Sequence, residues 1–160
     1  MEDILSKEPV QRVINALSDF DESLKVETLI SSARTAKDAS ESLKTEVGSI
    51  VKSLLLRRKS SFLLCLVAGD KRCSLNKIKK LLNEKDVSMA NADLVKEITG
   101  FTIGGVSPVG HLNKIDIFID HSLERFENVF AAAGHPNAVF EINFENLITL
   151  TSGEIKEITE

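Results

Sequence analysis

The sequence predicts an α+β domain: a mixed, partly barrel-like β-sheet surrounded by short helices. Three observations carry this expectation. Residues 49–57 and 61–67 are rich in Ile, Val, Leu and Phe, and the basic Arg-Arg-Lys-Ser between them reads as a hairpin connection. Thr35, Ser74 and Asn91 stand where a side chain can cap the first turn of a helix. Finally, the strand signals outnumber the βαβ units that could pair them in parallel, which leaves a mixed sheet or an open barrel. The 160 residues, 42% of them apolar, are enough for one domain (1–160) with a core that needs neither metal nor disulfide.

The elements follow in order. Pro9 sits at a helix start, and Val10, Val13, Ile14 and Leu17 recur at i, i+3, i+4 and i+7, predicting an amphipathic helix at about 9–18 that ends in the polar segment 18–23. Leu24, Val26 and Thr28 alternate with Lys25 and Glu27 as a strand. Thr35 opens a short helix ending near Leu43, and Gly48 opens the hairpin. Ser74 caps a helix expected to carry Leu75, Ile78, Leu81 and Leu82 inward, and Asn91 caps another that stops at Gly100, with a short strand at 87–89 between them. Strands at 115–119, 129–132 and 138–142, a helix at 144–150 and a last strand around Ile155 complete the chain.

Composition narrows the function classes. The longest apolar run, Phe62 to Ala68, is far short of the roughly 18 residues of a spanning helix, and the N-terminus shows no basic flank with an apolar stretch, so a cytoplasmic location is expected. Cys65, inside the apolar run, and Cys73, expected in a polar turn, make no disulfide framework, and His111, His121 and His135 share no metal-ligand spacing. Trp and Tyr are absent, which argues against an extended base-stacking platform. Charge is unevenly spread: between Lys52 and Lys85 stand ten basic residues against Asp70 and Glu84, a net of +8, while the rest of the chain carries −12. Such a basic third can bind a polyanion at one place, or it can simply be a solvated face.

Three segments can carry chemistry. A two-residue period places Lys52 on one strand face with Ile50, Leu54 and Leu56, where its stem either covers apolar surface at a sheet edge or delivers an ammonium to a cleft floor. Ser49 and Lys52 also spell S-x-x-K, but on a strand the two face apart and no Lys-Thr-Gly companion exists. Residues 100–110 hold four of the eight glycines without matching a phosphate loop or a dinucleotide fingerprint; what remains is Gly104-x-x-x-Pro108, suited to main-chain recognition or oxyanion stabilisation, or to a plain surface loop. Ala131-Ala132-Ala133-Gly134-His135-Pro136 pairs minimal side chains with a histidine, as a small pocket or as an ordinary turn.

Ile50-Val51-Lys52-Ser53-Leu54, Gly104-Gly105-Val106-Ser107-Pro108 within 99–110, and Gly134-His135-Pro136 occur here in one order. In that combination, from about Val26 to the C-terminus, the chain resembles the YbaK/ProX family of aminoacyl-tRNA deacylases, relatives of the editing domain inserted in bacterial prolyl-tRNA synthetases. The resemblance implies hydrolysis in trans of the ester joining a wrong amino acid to the tRNA 3′ end, with no cofactor and no metal. By it, Lys52 matches the lysine that engages the terminal nucleotide, Gly104 and Pro108 match the G-x-x-x-P loop, and His135 matches a histidine of the alanine-editing branch that the cysteine-editing branch lacks. It implies Lys52, Gly104, Gly105 and His135 as the catalytic set and Ser107, Pro108, Ala133 and Gly134 as substrate contacts. Arg57, Arg58, Lys59, Lys79 and Lys80 would guide the acceptor stem. Alanine, serine and threonine stand ahead of cysteine, with tRNA(Pro) the expected carrier and a synthetase as a further candidate partner; neither DNA nor a membrane is expected. The competing readings are a noncatalytic tRNA- or synthetase-binding module of the same fold, and a hydrolase of another small acyl ester.

Overall fold

The computed structural model describes residues 3–160. Helix α1 (Glu8–Phe20) carries Pro9 in its first turn and buries Val10, Val13 and Leu17. Strand β1 (Val26–Thr28) follows, then α2 (Ala36–Leu43), where Thr35 Oγ1 accepts from Asp38 N at 3.0 Å. The predicted hairpin is β2 (Val51–Arg58) and β3 (Ser61–Ala68), turning at Lys59 and Ser60 with Lys59 left-handed at φ 53°. Helix α3 (Leu75–Leu82) is capped by Ser74, β4 is Val87–Met89, and α4 (Ala92–Thr99) is capped by Asn91 and ended by a left-handed Gly100. Strands β5 (Asp116–Asp120), β6 (Asn128–Ala132) and β7 (Ala138–Asn143) precede α5 (Phe144–Thr151) and β8 (Glu154–Lys156).

The strands form two sheets. One has the order β4-β2-β3-β5-β8, antiparallel through β4, β2 and β3 and parallel from β3 to β5 to β8; the other is antiparallel, β1-β7-β6. The five-stranded sheet is mixed, as expected; a bridge between Ile50 and Phe130 joins the two sheets, and among the described residues no closed barrel forms. Side chains of β3 alternate between two apolar clusters. Leu64, Leu66 and Ala68 face the larger one, shared with α1, α5 and the second sheet, whereas Leu63, Cys65 and Val67 face a smaller one with Ile78, Phe118 and Ile158. Burial on both faces is why residues 62–68 read as an unbroken apolar run.

Two expectations need correcting. Leu81 is 47% exposed, because Leu75, Ile78 and Leu82, at i, i+3 and i+7, form the stripe that packs on the smaller cluster and Leu81 falls beside it. Cys73 does not sit in a polar turn: it bridges to Thr159 and packs on the smaller cluster. Among the described residues no helix is long and apolar enough to cross a membrane.

Candidate active site

A cavity of about 360 Å³ opens between the two sheets. Its walls come from α2, the first half of β2, the 103–106 segment and the turn joining β6 to β7, and Lys52, Gly104 and His135 all line it. It lies along the edge of β2, because β4 pairs only with residues 56–58 and leaves the earlier part of that edge uncovered. Residues of both strand faces therefore reach it.

Lys52 is half-buried opposite Val67, and its ammonium donates to Lys71 O. Burial pushes its pKa below the ordinary lysine value, opposed by the negative charge of Cys73 as a thiolate and of the Asp70 carboxylate. The other cysteine is deeply buried, and its contact with Cys73, together with burial, pushes the Cys65 thiol up. The Lys52 stem runs over aliphatic surface, and the ammonium ends on Lys71 O near Cys73 and Asp70, none of which lines the cavity.

Gly104 has φ +97°, and a Cβ there would come within 3.0 Å of Arg34 Cγ and 3.7 Å of Pro136 Cγ across the mouth. Only glycine meets both demands, and among the described residues the Gly104 N–H has no acceptor. Gly105 is different. A Cβ there would lie 2.9 Å from His135 N, its own N–H donates to Thr102 O, and its carbonyl accepts from Gly134 N at 3.0 Å. Gly105 thus locks the loop to the histidine turn and offers no spare donor. His135 Nδ1 accepts from Asn137 N at 3.0 Å, so in the neutral ring the proton sits on Nε2, which is then a donor.

The remaining assigned residues divide. Ala131 and Ala132 line the cavity, but Ala133 is fully buried with its N–H on Ala138 O, and Gly134 packs against α1. Ser107 is fully buried, its Oγ accepting from Val109 N and its carbonyl bonded by His111 Nε2 at 2.7 Å. Pro108 borders a separate shallow hollow with Ala16 and Leu150. After Gly105 the chain turns inward, so these two residues stand behind the loop. Among the basic residues, Arg57 pairs with Asp86 at 2.6 Å and Arg58 with Glu84 at 2.6 Å. Asp86 lies one residue beyond the segment whose charge was summed. Lys59, Lys79 and Lys80 form no ion pair among the described residues, and Lys59 and Lys80 are exposed.

Two cavity residues escaped the sequence reading. Arg34 stands beside Gly104 at the mouth, and nothing in a coil segment outside the basic third singles it out. Ser53 Oγ is buried at the wall with no hydrogen-bond partner among the described residues. Strand periodicity had turned Ser53 away from Lys52, correctly, but an edge cavity collects both faces. An unpartnered buried hydroxyl costs stability, so Ser53→Ala is expected to hold or raise the thermal midpoint. A lowered midpoint would mean the hydroxyl is bonded in solution.

The family profile described as "Aminoacyl-tRNA editing domain" matches residues 30–150, which span every segment lining the cavity. The chain belongs to this aminoacyl-tRNA editing family. Within curated sequences it is similar to an Enterococcus faecalis protein provisionally named Cys-tRNA(Pro)/Cys-tRNA(Cys) deacylase EbsC, 27% identical over 78% of this chain and 77% of that one. It is also 32% identical to YwhH of Bacillus subtilis, over 72% of this chain and 74% of that one. A proline--tRNA ligase of Kosmotoga olearia is 35% identical over 59% of this chain but only 16% of the ligase, so the likeness is to one piece of the larger enzyme. A crystal structure provisionally assigned as a trans-editing enzyme for prolyl tRNA synthetase superposes with a TM-score of 0.90 at 37% identity, covering 96% of this chain and 98% of that one. The editing family accounts for the mixed sheet flanked by helices.

Proposed function

We propose that the chain is a trans-acting deacylase that hydrolyses the ester of a tRNA mischarged with a small amino acid, alanine, serine or threonine ahead of cysteine, with tRNA(Pro) as the carrier. The convergence of Lys52, Gly104 and His135 on one cavity is the observation that carries this reading. Its alanine-rich wall suits a small side chain, and its size leaves room for the terminal ribose beside the aminoacyl group. Turned from Lys71 O into the cavity, the half-buried Lys52 ammonium binds a phosphate or ribose oxygen of the terminal nucleotide more strongly than an exposed lysine does.

An aminoacyl ester is already activated. Water adds to the carbonyl carbon and passes a proton to the medium or, through the vicinal ribose hydroxyl, toward the leaving oxygen. The carbonyl oxygen takes the negative charge, and collapse expels the ribose oxygen, which takes up that proton, and frees the amino acid. The Gly104 N–H is the uncommitted donor at the rim for that oxyanion, and His135, lining the same cavity, orients the substrate. Gly105, Gly134, Ser107 and Pro108 hold the two segments in place. Arg34 stands where a backbone phosphate of the acceptor end would pass. A panel of Ala-, Ser-, Thr- and Cys-charged tRNAs tests the proposal: hydrolysis of at least one small-residue ester is expected. No turnover on any, with salt-sensitive tRNA binding retained, would point to a noncatalytic module.

Because Arg57 and Arg58 already have carboxylate partners, phosphate contact falls to the unpaired lysines. The double variant Lys79→Gln/Lys80→Gln is expected to weaken tRNA binding and to reduce the dependence of log K on log salt by about 1 to 2, as loss of up to two phosphate contacts does. Arg57→Gln should change that slope less. Filter binding at several salt concentrations reads both.

A further inference from the structure

Helix α1 lies outside the matched residues 30–150, yet the glycine segments of the cavity rim rest on it. The Arg12 side chain, 19% exposed, reaches both ends of the 100–110 loop: Nη2 donates to Gly100 O at 2.8 Å and Nε to Gly110 O at 2.9 Å. Its remaining nitrogen pairs with Glu8, and the guanidinium lies 4.7 Å from the centre of the Phe101 ring. Approach is close throughout. A Cβ at Gly100 would fall 2.4 Å from Arg12 Nη2, one at Gly110 would fall 3.2 Å from the Arg12 carbonyl, and one at Gly134 would fall 2.7 Å from Pro9 O. One cation thus closes the base of the loop, while the same helix supports the histidine turn.

We propose that Arg12 is a positioning residue for the editing site, clamping both ends of the 100–110 loop so that Gly104 and His135 keep their places across the cavity mouth. A glycine-rich loop has much backbone freedom to lose, and two charge-assisted bonds from one planar, stacked donor restrict it at both ends at once. His111 adds a second brace. Burial holds its pKa below the ordinary value despite the opposing bond to Ser107, so at neutral pH an uncharged ring donates from Nε2 to Ser107 O while packing edge-on against Phe101. The tip then passes its position on through the Gly134 N–H to Gly105 O bond.

The catalytic side of this inference rests on the proposed deacylase reading, so its test begins with a measurement that needs no substrate. In the free protein, Arg12→Gln is expected to speed amide exchange at Gly105 and Gly134 by roughly tenfold or more, as expected when bonds from a charged group are removed. Leu64 and Leu66 in β3 should exchange as before. Arg12→Lys, which keeps the charge but not the two-pronged stacked geometry, should fall between Arg12→Gln and wild type. On the preferred mischarged tRNA, both variants should lower kcat more than they raise KM. Unchanged exchange at Gly105 and Gly134, or an equal rise at Leu64 and Leu66, would overturn the proposal, the latter by reducing Arg12 to general stabilisation. The selective exchange change in a protein that hydrolyses no aminoacyl-tRNA would instead leave the clamp standing and remove the deacylase reading.

Discussion

Lys52→Met is expected to reduce deacylation of the preferred mischarged tRNA by at least about 10²-fold, the scale on which losing one preorganised polar group from a water-poor site is felt. Methionine keeps most of the stem that lies over the aliphatic face of β2, so the lesion is confined to the charge. Stability should move the other way. Because burial depresses the Lys52 pKa, the folded state holds this proton less tightly than the unfolded chain does, and the charged side chain costs stability at neutral pH. That cost is fully present below the folded pKa and disappears as pH rises toward the ordinary lysine value. Lys52→Met should therefore hold or exceed the wild-type unfolding midpoint at pH 7, with any advantage shrinking in alkaline buffer. Single-turnover deacylation and urea titrations at two pH values read both effects. Full activity in the methionine variant would remove Lys52 from the site.

What sequence reveals here follows from how local each cause is. The β2–β3 hairpin was legible because every residue of its core run has an apolar neighbour on one face or the other. The helix starts at Thr35, Ser74 and Asn91 were legible because a cap acts within three residues. Lys52, Gly104 and His135 could be singled out by an odd residue in a regular pattern, although their meeting required the resemblance. Illegible features have distant partners. Arg57 and Arg58 lose their free charge to Asp86 and Glu84 across the sheet edge, and Ser107 and Pro108 turn inward because Gly105 is locked to the histidine turn. In the sequence Arg12 is one polar position on an amphipathic helix. Nothing local shows that its acceptors lie 88 and 98 residues away.

Asp120 is the other residue whose weight no pattern reveals, and its replacement should have the largest effect on stability. The side chain is fully buried at the end of β5, where it accepts from Ser122 N at 3.1 Å, Ile158 N at 2.8 Å and Thr159 Oγ1 at 3.1 Å. Burial by itself raises its pKa, but these donors outweigh it and the net shift is downward. The carboxylate therefore contributes stability above the ordinary aspartate pKa, and that contribution is lost as pH falls through the folded value. Asp120→Ala strands the Ile158 N–H and the Thr159 hydroxyl in the interior, and a loss of about 3 kcal/mol is expected at pH 7. Asp120→Asn keeps one accepting oxygen and should lie between. The gap between alanine variant and wild type should narrow only below the ordinary aspartate value of 3.8, read by urea titration at pH 7 and at about pH 2.5. The effect should also reach the cavity. Residues 158–160 bond to Arg72 and Ser74, Cys73 bridges to Thr159, and Lys71 O holds the Lys52 ammonium. Freeing the C-terminal segment should loosen that anchor, so Asp120→Ala is expected to weaken deacylation under conditions where the protein is still folded. Wild-type turnover in such a folded variant would show that Lys52 is held by the strand alone.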